Sequence, residues 1–141
     1  MKNLLFWGMF GLTVEVLFTG LRGIITTKSY NLMGNTSIWM FPIYAFGLTY
    51  GFDFIKQIIP YDFIRYFSYP FWIWGVEIMI GYPAIKLGIR IWDYRYLSDN
   101  KHWRGIISYV HFPVWILFGI LVEIVCQLIY SHFSKTIVNW M

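Results

Sequence analysis

Apolar residues fill four long stretches of the chain, 4–25, 37–58, 63–87 and 106–131, each bounded by turn formers or charges. A helix needs about 20 residues to cross a hydrocarbon core of roughly 30 Å. All four stretches reach that length, and none shows the strict alternation that marks barrel strands. Open strands are excluded as well, because backbone groups inside lipid must be satisfied within the segment. The connections agree with these borders. The first is polar and carries Gly34-Asn35, a turn signal, and the second is Pro60-Tyr61-Asp62. The third, 90–105, holds Arg90, Asp93, Arg95, Asp99, Lys101 and Arg104, interleaved with Trp92, Tyr94, Tyr96, His102 and Trp103. Aromatic residues mixed with charge in this way suit a membrane–water interface. The pattern predicts an all-α integral membrane protein, a bundle of four transmembrane helices in a single domain.

Composition strengthens this reading. Of 141 residues, 58% are hydrophobic, 23% aromatic and 13% charged, against roughly 25% charged in an ordinary soluble domain. The net charge of +4 comes from basic residues spread along the chain, which argues against a nucleic-acid partner. The single Cys126 excludes an internal disulfide and offers no zinc or thiol-redox spacing. Lys2 followed by apolar Leu4 to Leu12 resembles a signal peptide. However, Glu15 interrupts the run and no A-x-A-like cleavage site follows, so the segment reads as a first membrane helix. The lipid bilayer is then the first partner.

Orientation follows from Lys and Arg. Arg22, Lys28, Lys86, Arg90, Arg95, Lys101 and Arg104 flank the first and third connections, while Lys2, Lys56, Arg65 and Lys135 lie on the other side. The positive-inside rule places both termini outside the cytoplasm, in the inner membrane if the source is bacterial. Counting Arg22 and Lys86 as membrane-embedded narrows the difference to one residue.

Three glutamates, Glu15, Glu77 and Glu123, fall well inside predicted spans. A charge near the bilayer centre costs roughly 2.5–3.5 kcal/mol on insertion scales. These carboxyls therefore either hold a proton or meet donors within the bundle. Two follow a glycine by four residues, Gly11-x-x-x-Glu15 and Gly119-x-x-x-Glu123, and the third is Gly75-Val-Glu77. A glycine one turn away on the same face lets a neighbouring helix approach. Such carboxyls either line a polar interior that binds or moves a cation, proton or head group, or act as interhelical glue. Phe41-Pro42 with Phe46-Gly47 and Phe112-Pro113 with Phe118-Gly119 add a second echo. Together these suggest a duplicated helical hairpin, spans one and two matching three and four. Prolines 42, 70, 83 and 113 at or near span borders are of a kind that membrane helices tolerate.

Other chemistry finds little support. His111 and His132 share one helix and cannot clamp a haem between them, so no cofactor is expected, and no metal-ligand spacing occurs. There is no G-x-S-x-G, H-E-x-x-H or P-loop. A lipid-modifying site at Asp93, Tyr94 and His102 is the remaining enzymatic reading. The expectation is a non-enzyme.

Four blocks in order, Gly11-Leu-Thr-Val-Glu15-Val-Leu-Phe-Thr19, Thr36-Ser-Ile-Trp39 with Pro42-Ile-Tyr44, Trp74-Gly-Val-Glu77 with Gly81 and Trp92-Asp-Tyr94, and Gly105-Ile-Ile with Glu123, resemble the transmembrane protein 229 family. They also resemble its bacterial relatives, the type IV ABC-transporter (CmpB) family. The resemblance spans about residues 8–125. It implies a small polytopic membrane protein associated with transport, and it matches Glu15, Glu77, Trp92, Asp93, Tyr94 and Glu123 to the family's recurrent polar and aromatic positions. With no ATP-binding motif in the chain, an ABC role implies a separate ATPase subunit.

The leading expectation is a transport or ligand-binding component with Glu15, Glu77 and Glu123 on a shared polar interior. The ligand-binding candidates are those glutamates with Trp92, Asp93 and Tyr94. The alternative is a non-catalytic subunit or assembly factor of a larger membrane complex, and homo-oligomers suit so small a bundle.

Overall fold

The computed structural model describes residues 3–28 and 30–138, and side chains among these except at 27, 130 and 132–138. Lys2 and the side chains of His132 and Lys135 thus lie outside the described residues. The chain runs α1 (Leu4–Thr27), α2 (Met40–Phe46), a π-helical turn (Gly47–Gly51), α3 (Phe52–Ile58), α4 (Asp62–Lys86), a 3₁₀ turn (Asp99–Lys101), β1 (His102–Trp103), β2 (Ile107–Ser108) and α5 (Phe112–Val138). Two compact units divide it: Lys2–Ile58 with Pro83–Asp93, and Ile59–Tyr82 with Tyr94–Met141.

In the first unit, α1 starts where the Asn3 side chain accepts the Phe6 N–H at 3.0 Å, a standard N-cap. It ends at Lys28, whose φ of 53° leaves the helical region. Glycines then set the packing. Gly8 lies under the Phe41 ring and Gly11 under the Tyr44 ring, so α2 sits close against α1. The returning loop lies closer still, with Gly34 against the Val16 carbonyl oxygen and the Asn35 N–H donating to Thr19 Oγ1 at 3.0 Å. Among the described residues of this unit, Trp7, Ala45, Leu48, Phe52, Ile55 and Ala84 are buried and apolar.

In the second unit, Tyr69 of α4 packs over Gly119 of α5. Further along, Phe71 and Trp74 meet Phe112 edge-on or tilted, with centroids 5.7 and 5.8 Å apart. Val122 and Tyr69 are fully buried here. A short antiparallel hairpin pairs His102 with Ser108 and Trp103 with Ile107. Its turn is closed by the Ile106 N–H on the Trp103 carbonyl at 2.8 Å. Arg104 and Gly105 occupy positive φ, 54° and 72°, as tight hairpin turns require. The Arg104 guanidinium covers the Tyr82 and Trp103 rings at 5.7 and 5.4 Å.

The chain is mostly helical, as the hydropathy pattern predicts, with three corrections. Among the described residues, two helices are long and apolar enough to cross a membrane, Leu4–Thr26 and Phe112–Ile129. The predicted second span, 37–58, begins as a helix only at Met40 and winds through a π turn at Gly47–Gly51 before continuing as α3. The third, 63–87, is one long helix, but Asp62, Arg65, Glu77 and Lys86 with several Tyr and Trp residues reduce its apolar character. The fourth, 106–131, begins at Phe112, because Ile107 and Ser108 belong to the hairpin that the all-α reading omitted. Prolines follow ordinary rules here. Pro42 and Pro113 lie in first turns, where no helical N–H is lost, whereas Pro70 inside α4 cannot donate to Tyr66.

Candidate functional site

The three glutamates meet three different fates. Glu123 is buried on α5 and fully engaged. Arg65 Nε donates to its Oε1 at 2.6 Å and Arg65 Nη2 to its Oε2 at 2.9 Å, and the Tyr69 hydroxyl also donates to Oε1. Arg65 is itself saturated, since Nη1 reaches the carbonyls of Ile59 and Pro60 at 3.0 and 3.1 Å and Nη2 also pairs with Asp62. Only 4% of Arg65 and 2% of Glu123 are exposed. A fork with every nitrogen committed and a carboxylate with both oxygens in use have nothing left for a ligand. This cluster ties the start of α4 to α5. Of the two roles open to Glu123 at the sequence level, the geometry supports glue.

Glu15 lies in the other unit. Its carboxyl faces Thr36 and Tyr44, and its Oε2 is buried without a hydrogen-bond partner. A local motif repeats here. In both units a tyrosine ring lies over the glycine of Gly-x-x-x-Glu, and that tyrosine faces the glutamate one turn on. The match pairs α1 with α5 and α2 with α4. The duplicated-hairpin expectation pairs α1 with the third span and α2 with the fourth, so the recurring geometry follows a different correspondence.

Glu77 carries the most open chemistry. It is 8% exposed, and the Tyr94 hydroxyl donates to its Oε1 at 2.7 Å. Its Oε2 has no partner, and neither do the buried indole N–H groups of Trp74 and Trp115. Trp74 is one helical turn from Glu77, on the same face of α4. Tyr94 reaches this place because its backbone N–H donates to the Gly105 carbonyl at 3.0 Å, anchoring it to the hairpin turn. Its ring sits 5.3 Å from His111, centroid to centroid, and His111 lies 6.2 Å from Trp115. Ser108 Oγ is 2.7 Å from His111 Nδ1. Both residues are buried. About 18 Å of helix separates Arg65 from Glu77 at 1.5 Å per residue, so the unit holds two distinct polar clusters.

The other sequence candidates divide. Tyr94 joins Glu77. Asp93 instead pairs with Arg90 at 3.3 Å, each about one-third exposed, and Trp92 beside it is half-buried. His102 accepts the Gly105 N–H on Nδ1 at 3.1 Å, helping to shape the turn. Sequence reasoning missed Arg65, counting it as a loop charge. Its signal was a lone arginine in an apolar run, three residues after Asp62. It also missed Trp74, Ser108 and Trp115 as parts of the Glu77 cluster.

One consequence separates the two classes of contact. Tyr94→Phe removes the sole donor that the described residues give this buried carboxyl and is expected to cost about 1–3 kcal/mol. Asp93→Asn breaks a partly exposed pair and is expected to cost under about 1 kcal/mol. Thermal unfolding in mild detergent, followed by near-UV dichroism, measures both; equal losses contradict this assignment. Among the described residues, no group of three or more His, Cys, Asp and Glu side chains is placed to hold a metal. No family model matches the chain, and no solved structure matches it.

Proposed function

We propose that this protein is a multi-pass membrane component that binds a small polar or amphiphilic ligand at Glu77, as part of a transport system. The membrane part rests on what covers the apolar helices. A core helix of a soluble protein is mostly buried, whereas only 22% and 17% of the two apolar windows are buried within the chain. Leu5, Met9, Leu17, Leu21 and Ile25 on α1 and Leu117, Ile124 and Leu128 on α5 are open to the surroundings. Lipid is the solvent that such surfaces suit. The segments α2–α3 and α4 make up the four passes in this reading, the embedded Arg65 being neutralised by Glu123. With Arg65 removed from the loop charges, the Lys/Arg excess around the first and third connections grows, favouring termini outside the cytoplasm. A Lys101→Cys variant is then expected to resist a membrane-impermeant maleimide in intact cells and to react after lysis. Labelling of intact cells reverses the orientation.

The binding part rests on one observation. Among the described residues, Glu77 is buried with one oxygen held by Tyr94 and the other unpartnered, and the indole N–H of Trp74, one helical turn away on the same face of α4, also lacks a partner. Buried polar groups left unsatisfied are costly and call for an explanation, a ligand being one. Native mass spectrometry of protein extracted gently from its own membrane tests this. Wild type is expected to carry a defined small molecule, and Glu77→Gln, which keeps the shape, is expected to lose it without losing its fold. Equal occupancy in both proteins refutes the reading. A stoichiometric protein partner with no small molecule, such as an ATPase or another membrane subunit, establishes the alternative of a structural subunit.

A further inference from the structure

We infer that the Glu77 cluster recognises an organic ammonium ion bearing an oxygen acceptor, an amino alcohol or a head group built on one; this rests on the binding role proposed for Glu77. The chemistry follows from what the cluster lacks. Glu77 is a buried carboxyl whose hydrogen-bonding partner is a neutral hydroxyl, with no ion pair among the described residues. Its free Oε2 is an acceptor awaiting a donor. An N–H⁺ group supplies a donor to Oε2 and a positive charge that holds the carboxyl in its ionised form.

The surroundings narrow the class. A hard metal ion requires several oxygen ligands, whereas the group that meets Glu77 among the described residues is the Tyr94 hydroxyl, on a ring packed against His111. Electron-rich ring faces attract organic cations, most strongly when desolvated. The indole N–H of Trp74, one turn from Glu77 on the same face of α4, adds the opposite requirement, since it is a buried donor without an acceptor among the described residues. A ligand with an ammonium at one end and a hydroxyl or phosphate oxygen nearby answers both demands. Ethanolamine and the phosphoethanolamine head group share that chemistry, the first free in solution and the second attached to a lipid.

The test uses the full chain in nanodiscs of phosphatidylglycerol, which carry no amine, and radiolabelled ethanolamine in a scintillation proximity assay. Saturable binding is expected, competed by unlabelled ethanolamine and untouched by neutral ethylene glycol. Glu77→Gln is expected to weaken it at least tenfold, and Trp74→Phe, which keeps a ring but removes the N–H, to weaken it less. A second arm places the protein in nanodiscs containing phosphatidylethanolamine and weighs the complex by native mass spectrometry. One retained lipid, lost in Glu77→Gln, identifies the head group as the source; saturable binding of free ethanolamine identifies the soluble amine. Absence of both, or undiminished binding in Glu77→Gln, overturns the inference. Glu77→Gln is checked for wild-type near-UV dichroism, so misfolding is not mistaken for loss of the site. If a different molecule is lost from Glu77→Gln in the native extract, the binding role survives and the ammonium assignment alone falls.

Discussion

Replacing Arg65 with Ala is expected to destabilise the protein by about 3–5 kcal/mol, the usual cost of leaving one member of a buried ion pair without its partner. Glu123 is 2% exposed and takes two hydrogen bonds from the arginine, so its charge is stranded when the fork is removed. The carbonyls of Ile59 and Pro60 lose their donors at the same time. Attraction between the two charges is only part of the effect, because desolvating both ions opposes it. A double change to apolar residues of similar volume, Arg65→Met with Glu123→Leu, is therefore expected to recover most of the loss. Thermal unfolding in detergent of the single and double variants decides this. A double variant no more stable than the single would mean that the fold depends on the charges themselves.

Gly119→Ala is the second change with a large expected effect. The added Cβ falls on the base of the Tyr69 ring, which is fully buried and cannot swing aside. Overpacking of this kind costs about 1–3 kcal/mol, and displacing Tyr69 also pulls its hydroxyl from Glu123. Gly75→Ala provides the contrast. Nothing lies within 4 Å of the Cβ it adds on α4, so helix propensity alone acts and predicts a gain of roughly 0.5–1 kcal/mol. Opposite signs at two helical glycines are the expected result. Matching signs would show that close approach of α4 and α5 does not depend on Gly119.

Glycine spacing was visible in the sequence while its meaning was only half so. Gly11-x-x-x-Glu15 and Gly119-x-x-x-Glu123 announce a face where another helix comes near, since position on a helix face depends only on helical period. That Tyr44 and Tyr69 fill those faces depends on which segment packs there, and no local pattern encodes it. The functional weighting shifts for the same reason. All three glutamates look alike from their neighbours in the chain, but Arg65 saturates Glu123, whereas Glu77 keeps an unpartnered oxygen.

What the sequence determined by itself is the predominance of helix and the apolar character of α1 and α5. Both follow from residue composition over a local window, where hydrophobic length acts directly. Tertiary structure alone decided that a lone arginine is an internal clamp, that the helix within 37–58 carries a π turn, and that Tyr94 reaches Glu77 from a connection pinned to the Gly105 carbonyl. These depend on partners distant in the chain. A buried charge takes whichever donor the packing brings within about 3 Å, and only the folded arrangement specifies that donor.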